Sequence, residues 1–203
     1  MLNLLVFIPA CFALNLAFGP NNLLSVTFGA QKGIGFAALA GAARLAVFVP
    51  MIAASALGLG ALLSASTVAF TVVKIIGAVY LLYLGIRMLL SGPRPGVAEG
   101  APRGLTLKSA LRMEGLTALS NPKAILIFAA FFPQFVTLQH YWSSYVTLAA
   151  LFLTLEAVAI LLYASLGRLA RAFTATRLHW LQRMSGIGMI VFGGLLLFIS
   201  QPA

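Results

Sequence analysis

Residues 2–28 read L-N-L-L-V-F-I-P-A-C-F-A-L-N-L-A-F-G-P-N-N-L-L-S-V-T-F, an apolar stretch without a charged residue. A helix needs about 20 predominantly apolar residues to cross a bilayer, so this stretch is long enough to span one. The segment F-G-P-N-N at Phe18–Asn22 interrupts it. Proline removes a backbone hydrogen bond and clashes with the carbonyl four residues back, here that of Leu16. We therefore predict a transmembrane helix that is broken at Pro20.

The rest of the chain continues this apolar pattern. Of the 203 residues, 62% are hydrophobic and 8% are charged, whereas a soluble domain has about 25% charged residues. Further membrane-spanning helices are predicted at residues 34–62, 67–90, 121–139, 143–167 and 183–200. A Gly- and Pro-rich linker at 92–107 separates a first repeat, 1–91, from a second repeat, 108–203. Residues 105–119 are less apolar, and Lys108 and Arg112 share one face of a predicted interfacial helix.

The basic residues indicate how these helices are oriented. The net charge of +10 does not indicate nucleic-acid binding, because the cations lie in short segments between apolar spans. Eleven of the thirteen Lys and Arg residues flank the first, third and fifth connections: Lys32, Arg87, Arg94, Arg103, Lys108, Arg112, Lys123, Arg168, Arg171, Arg177 and Arg183. Cytoplasmic connections carry such an excess, so both termini are predicted on the non-cytoplasmic side.

A second interruption, S-N-P-K at Ser120–Lys123, opens the second half as F-G-P-N-N opens the first. With three helices in each half, the two halves have opposite orientations. Inverted repeats with interrupted helices in matching positions are typical of secondary transporters. We predict an all-α integral membrane protein with six transmembrane helices in two inverted three-helix repeats. Residues 1–203 then form one membrane transport domain.

The two interruptions also bring polar groups into the membrane. Freed carbonyls could bind an ammonium, and the amides of Asn21, Asn22 and Asn121 could donate to a carboxylate. The alternative is a pair of proline kinks whose asparagines hold helices together. Because the two motifs match, we favour a binding site for a zwitterionic solute.

Three charged residues lie within the predicted spans. A charge there costs about 2.5–3.5 kcal/mol, so it normally faces a partner or a cavity. Glu156 is predicted to be the only deep carboxyl, with three roles open to it: carrying a proton, binding a substrate ammonium, or forming a structural ion pair. Lys74 is a candidate to bind a carboxylate or to pair with Glu156. Arg44 is predicted to extend its charge to the cytoplasmic surface.

Other chemistries lack the residues they need. One carboxylate in the spans does not make a Mg²⁺ or Mn²⁺ site, so no metal or other cofactor is expected. Neither His140 nor His179 lies inside a span beside a nucleophile, and no phosphate-binding glycine loop is present. The sequence does not predict an enzyme.

The chain resembles the LysE/RhtB family of bacterial amino-acid exporters over nearly its full length. Five motifs carry the resemblance in order: G-P-N-N-L-L at Gly19–Leu24, L-G-L-G-A-L-L at Leu57–Leu63, K-I-I-G-A-V-Y-L-L-Y-L-G at Lys74–Gly85, N-P-K-A at Asn121–Ala124 and F-F-P-Q-F at Phe131–Phe135. Position by position, the resemblance implies functional roles for Gly19, Pro20, Asn21, Lys74, Asn121, Pro122 and Lys123. Phe18 stands where the family usually has proline. The second helix reads L-A-V-F-V-P-M where many members carry a polar or acidic residue.

The resemblance implies proton-driven export of amino acids or close relatives across the inner membrane of a bacterium. The expected partners are a small amino-acid-like substrate, the lipid bilayer and protons. The alternatives are an exporter of another small ion or metabolite, and a non-transporting membrane scaffold subunit. The sequence leaves the solute, the coupling ion and the oligomeric state open.

Overall fold

The computed structural model describes residues 4–65, 67–90 and 105–169, together with 183, 186–191, 193–194 and 197. The described residues form helices and no strand. The α-helices are α1 (Leu4–Leu16), α2 (Pro20–Lys32), α3 (Ile34–Ala65), α4 (Thr67–Leu90), α5 (Leu107–Leu119), α6 (Pro122–Leu126) and α7 (Tyr141–Leu169). The described positions between 183 and 197 are also helical. Most of the predicted linker, and part of the predicted sixth span, lie outside the described residues.

The helices α1 and α2 form a bent pair, with an angle of 62° between them. The break follows from the sequence F-G-P-N-N. Gly19 is extended, with φ −137°, and Pro20 occupies the first turn of α2, where no intrahelical N–H bond is needed. The predicted break at Pro20 is confirmed.

A second bent pair joins α5 to residues Pro122–Phe135 at an angle of 47°. Asn121 caps the second arm, since its Oδ1 accepts a hydrogen bond from the backbone N–H of Lys123 at 3.1 Å. Beyond α6 the chain forms a π-helical turn at Ile127–Phe131 and a 3₁₀ turn at Phe132–Phe135. The break at Pro122 is confirmed. The helix predicted at 121–139 is helical from Pro122 to Phe135, where its type changes twice, and the backbone becomes extended at Val136.

The helix α5 has one buried face. Its predicted place at the membrane interface stays a prediction, while Ala110, Glu114 and Ala118 are all buried within the protein. These three residues recur every four positions and form one inward face, whereas Lys108 and Arg112 remain exposed. The helix is therefore the first arm of a bent pair and packs against α3.

Length and composition identify the helices that could cross a membrane. Among the described residues, Ile34–Gly58 and Leu138–Leu169 are each long and apolar enough, and the number rises to four if each bent pair is one span. The part of the chain that the structure describes is thus all-helical, as expected of a multi-pass membrane protein.

The packed interior has two parts. The helix α2 packs against α3 and α7, and α5 closes against α3 beside it. Farther along α3 and near the start of α7, aromatic rings from α1, α3, α7 and the segment after α6 form a cluster that we call the aromatic cluster. Its members are Phe7, Phe48, Phe128, Phe131, Phe132, Phe135, Tyr145 and Phe152.

Glycines allow α2 and α7 to approach backbone to backbone. A Cβ atom on Gly29 would lie 2.2 Å from the carbonyl oxygen of Ala164, and one on Gly167 would lie 2.0 Å from that of Val26. Real Cβ atoms do not approach so closely, so only glycine fits at both positions. This contact fixes α2 close to the second half of α7.

Candidate functional site

Arg44 lies at the centre of the buried polar groups and is 0% exposed. Its Nε is 3.0 Å from Glu114 Oε2, and its Nη1 is 2.6 Å from Glu156 Oε1. The predicted extension of Arg44 to the cytoplasmic surface is wrong. Two carboxylates from α5 and α7 compensate its charge inside the protein, so the side chain does not need to reach water.

The first turns of α2 provide the other acceptors for Arg44. Its Nη1 donates to Asn22 Oδ1 at 3.0 Å. Its Nη2 donates to the carbonyl of Asn21 at 2.8 Å and to Ser25 Oγ at 2.6 Å, and also to Glu114 Oε1 at 3.1 Å. The guanidinium therefore joins α2, α3, α5 and α7 at one point.

Glu114 is a buried carboxylate that the sequence did not predict, and it is 0% exposed. Glu156 is therefore not the only deep carboxyl. Asn21 Nδ2 donates to Glu114 Oε2 at 2.8 Å and to the Glu114 carbonyl at 3.1 Å. The sequence feature that could have indicated the burial of Glu114 is its spacing from Ala110 and Ala118, which places the carboxylate on the same helical face as two small residues.

The two helix breaks contact each other directly. Asn121 Nδ2 donates to Asn21 Oδ1 at 3.0 Å. Asn22 Nδ2 donates to the carbonyls of Asn15 and Ala17 at 2.9 and 3.0 Å. Both breaks thus satisfy their polar groups by bonding to each other and to the end of α1.

The carbonyl of Leu16, which Pro20 was predicted to leave free, accepts a hydrogen bond from the Tyr163 hydroxyl at 2.5 Å. This contact ties the end of α1 to α7. The freed carbonyl is therefore satisfied within the protein, as is required of a polar group away from water.

Lys123 connects the second break to the first. Its side chain crosses to α1, where Nζ donates to the carbonyls of Leu14 at 3.1 Å and Ala17 at 2.9 Å. The sequence assigned Lys123 to the cations flanking the third connection, and this is wrong because the residue is buried. Gly19 lies beside it: a Cβ there would be 3.7 Å from Lys123 Cε.

The structure thus gathers most of the sequence-predicted residues into one buried network, which we call the break network. Its members are Asn21, Asn22, Ser25, Arg44, Glu114, Asn121, Lys123 and Glu156, with Gly19, Pro20 and Pro122 shaping the backbone around them. Lys74 belongs to α4, but its side chain is outside the described part of the molecule. Among the described residues, no three His, Cys, Asp or Glu side chains are grouped to hold a metal ion.

Buried charges between interrupted helices, within an apolar multi-pass fold, define a membrane transport protein. The sequence model of the LysE type translocators matches residues 12–200. The chain belongs to this family, whose members are transporters rather than enzymes.

Several curated relatives match along most of their length. An uncharacterized membrane protein of Pseudomonas aeruginosa is 33% identical over 190 residues, which cover 86% of this chain and 84% of the relative. Proteins named leucine efflux protein, from Enterobacter sp. and Salmonella choleraesuis, are each 32% identical over 100% of this chain and 94% of their own length. No solved structure matches the chain.

Proposed function

We propose that this protein is a secondary active exporter that moves amino acids or close relatives out of a bacterial cytoplasm. The observation that carries the proposal is the meeting of two helix breaks at a buried charged network in a LysE type translocator. The relatives named leucine efflux protein make leucine the first substrate to test.

We further propose six spans in two inverted repeats within the inner membrane, with both termini on the non-cytoplasmic side. Two features support this arrangement. Each half of the chain opens with a bent helix pair, broken at Pro20 and at Pro122. In the sequence, ten flanking cations other than the buried Lys123 lie beside the odd-numbered connections.

The proposed substrate site is the junction of the two breaks, built from Gly19, Pro20, Asn21, Asn22, Asn121, Pro122 and Lys123, with Lys74 from α4. Its chemistry suits a zwitterion, because carbonyls at the end of α1 accept from an ammonium and amides donate to a carboxylate. Lys123 and Asn22 bond to these carbonyls in the structure. Substrate binding would therefore exchange internal contacts for contacts with the solute.

Protons are the proposed coupling ion, and the sequence assigns Glu156 a role in coupling. The contact between Glu156 and Arg44 favours the structural ion-pair alternative among the three roles open to this residue. The role of Glu156 stays a prediction, for which a neutral variant provides a test below.

Counterflow in proteoliposomes tests the function. Vesicles containing the protein and loaded with unlabelled leucine should take up external labelled leucine faster than protein-free vesicles. A panel of amino acids, other metabolites and ions then defines the solute class. Counterflow of only a non-amino-acid solute would contradict amino-acid export, and the absence of flux for every solute would favour the scaffold alternative.

Two variants test the proposed site in the same assay. Asn21→Ala and Asn121→Ala each leave a buried partner unpaired, which costs about 1–3 kcal/mol, or roughly a five- to hundredfold loss of leucine affinity. Gln139→Ala, at an exposed residue between the 3₁₀ turn and α7, is the control. Wild-type affinity in both folded asparagine variants would favour the alternative of kinks and helix packing.

A further inference from the structure

The Lys123 ammonium is held by the carbonyls of Leu14 and Ala17, a pair that we call the carbonyl cradle. These groups are available because α1 ends at Leu16, and the last carbonyls of a helix have no intrahelical partner. Between them in the chain, the buried side-chain oxygen of Asn15 has no hydrogen-bond partner. The Ala17 carbonyl also accepts from Asn22 Nδ2 at 3.0 Å, and the Leu14 carbonyl from the backbone N–H of Ala17 at 3.1 Å. The end of α1 therefore presents a cluster of acceptors to which one ammonium, that of Lys123, is bound.

Lys123 differs from Arg44 in its partners. Among the described residues, both buried carboxylates, Glu114 and Glu156, form ion pairs with Arg44, and neither forms one with Lys123. The charges of Glu156 on α7 and Arg44 on α3 act on Lys123 with opposite signs. A lysine can lose its proton and remain as a neutral amine, whereas an arginine in a protein keeps its charge.

Among the described residues, few other titratable groups surround the cradle. The helix α1 contributes buried Cys11, and α7 contributes Tyr163, whose hydroxyl is bound to the Leu16 carbonyl. Glu114 on α5 is held by Arg44 and Asn21. Of the charged side chains in the break network, Lys123 is therefore the one whose charge can change without breaking an ion pair.

A substrate α-ammonium needs hydrogen-bond acceptors like the two carbonyls that bind the Lys123 ammonium. Both are –NH₃⁺ groups with three donors that bind carbonyl oxygens. Gly19 lies beside the cradle, where a Cβ would be in ordinary van der Waals contact with Lys123 Nζ at 3.8 Å and with the Ala17 carbonyl oxygen at 3.9 Å. Two ammonium groups at one cradle would repel each other in a medium that screens charge poorly.

We propose that protonated Lys123 and the substrate α-ammonium occupy the carbonyl cradle alternately, and that this exchange couples export to proton entry. The proposal rests on the proposed function. On the cytoplasmic side Lys123 releases a proton, becomes a neutral amine and leaves the cradle to the zwitterionic substrate. On the outer side the substrate leaves as a zwitterion and Lys123 takes up an external proton. Each cycle moves one amino acid outward and one proton inward.

Proton release on leucine binding tests the exchange. Purified protein in detergent and weak buffer, with a pH indicator, should release close to one proton per bound leucine. In Lys123→Met, whatever its leucine affinity, the number of protons released per bound leucine should fall to near zero. Lys108→Met removes an exposed lysine from α5 and should behave like the wild type. Lys123→Gln can donate to both carbonyls without carrying a proton, so it gives the same readout if the methionine variant does not fold.

Leucine affinity supplies a second readout. Because proton and substrate compete for one cradle, the wild-type Kd should rise as pH falls, by up to roughly tenfold per pH unit. In Lys123→Met, the Kd should not depend on pH over the same range. Any leucine exchange that Lys123→Met shows in proteoliposomes should no longer become accumulation when a pH gradient is applied.

Two results would overturn the exchange while leaving the proposed function intact. One is gradient-driven export by the folded Lys123→Met variant at the wild-type rate. The other is a complete loss of leucine binding in the folded Lys123→Met and Lys123→Gln variants, which would make Lys123 a direct ligand. Failure of wild-type counterflow for all amino acids would contradict the proposed function itself.

Discussion

Arg44 makes contacts that a lysine cannot reproduce. Its three nitrogens reach both carboxylates and three groups of α2, as the planar five-donor guanidinium allows. Arg44→Lys keeps the charge but has three donors on one atom. It should therefore leave buried acceptors unpaired and lower the free energy of unfolding by about 1–3 kcal/mol.

Thermal unfolding in detergent measures this loss. The matched control is Arg112→Lys, the same substitution at an exposed position on α5, which should change the Tm little. Equal Tm values for the two variants would mean that the guanidinium contacts do not stabilise the fold.

Glu156→Gln separates the roles open to that residue. The variant keeps the shape but leaves Arg44 with one charged partner, so we expect weaker stability and weaker substrate binding. We expect the pH gradient to keep driving export, because Lys123 still carries the proton. Measurements of exchange and gradient-driven export in the same vesicles test this. If gradient-driven export is lost while leucine exchange is retained, Glu156 is the proton carrier and the Lys123 proposal is contradicted.

The sequence predicts the burial and contacts of some residues of the site better than those of others. Glu156 and the two prolines were recognisable because a carboxylate or proline within an apolar span is costly wherever the helix points. Arg44 and Lys123 were misplaced because both lie near positive connections, where a long side chain can usually reach water. Glu114 was missed because its burial depends on the rotation of α5, which tertiary packing determines.

At the scale of elements, the two breaks interrupt backbone hydrogen bonding within helices and create side-chain hydrogen bonds between them. At the first break, Lys123 from the other break and Tyr163 of α7 bond to carbonyls at the end of α1. At the second break, the Ala118 carbonyl accepts from the backbone N–H of Asn121 at 3.2 Å. The Asn121–Asn21 contact joins the two bent pairs. Pattern and proline placement predicted the existence of both breaks, but could not predict that the breaks bond to each other.

The close packing of α2 on α7 gives a prediction for a whole element. Gly29→Ala places a methyl group 2.2 Å from the Ala164 carbonyl, so the two helices must separate. We expect a loss of about 1–3 kcal/mol in the free energy of unfolding, as for an overpacked core.

The control for this variant is Gly35→Ala near the start of α3, where an added Cβ meets nothing within 4 Å. Thermal unfolding of both variants checks the difference. A Tm for Gly29→Ala as high as that for Gly35→Ala would contradict the backbone contact between α2 and α7.

At the scale of the whole molecule, the break network lies between two packed regions that differ in composition. The aromatic cluster packs the ends of α3 and α7 that face α1 and the segment after α6. Alanines, glycines and the ring pair of Phe28 and Phe36 pack the opposite region, around α2 and α5. In the proposed orientation, the aromatic cluster lies on the outer side of the break network and the glycine contact on its cytoplasmic side. Access from either side then requires one of these two packed regions to open.

Labelling of single cysteines tests the orientation and the number of spans together. Between Lys32 and Gln139 lie α3, α4 and the second bent pair. If the bent pair crosses the membrane, the chain makes three crossings and the two residues lie on opposite sides. If the pair is a re-entrant loop, only two crossings remain and both residues lie on the same side.

We expect opposite sides, because Lys32 belongs to a positively charged connection and Gln139 to an uncharged one. In a Cys11→Ala background, a membrane-impermeant maleimide should label Gln139→Cys on intact cells. It should label Lys32→Cys, and Arg94→Cys in the third connection, only after permeabilisation. Both side chains chosen within the described residues are exposed, so a lack of labelling reports the membrane side rather than burial.

Labelling of Lys32→Cys and Gln139→Cys from the same side would make the second bent pair a re-entrant loop and remove the inverted repeat. Labelling of Arg94→Cys and Lys32→Cys on intact cells, with Gln139→Cys protected, would keep three crossings and reverse the orientation.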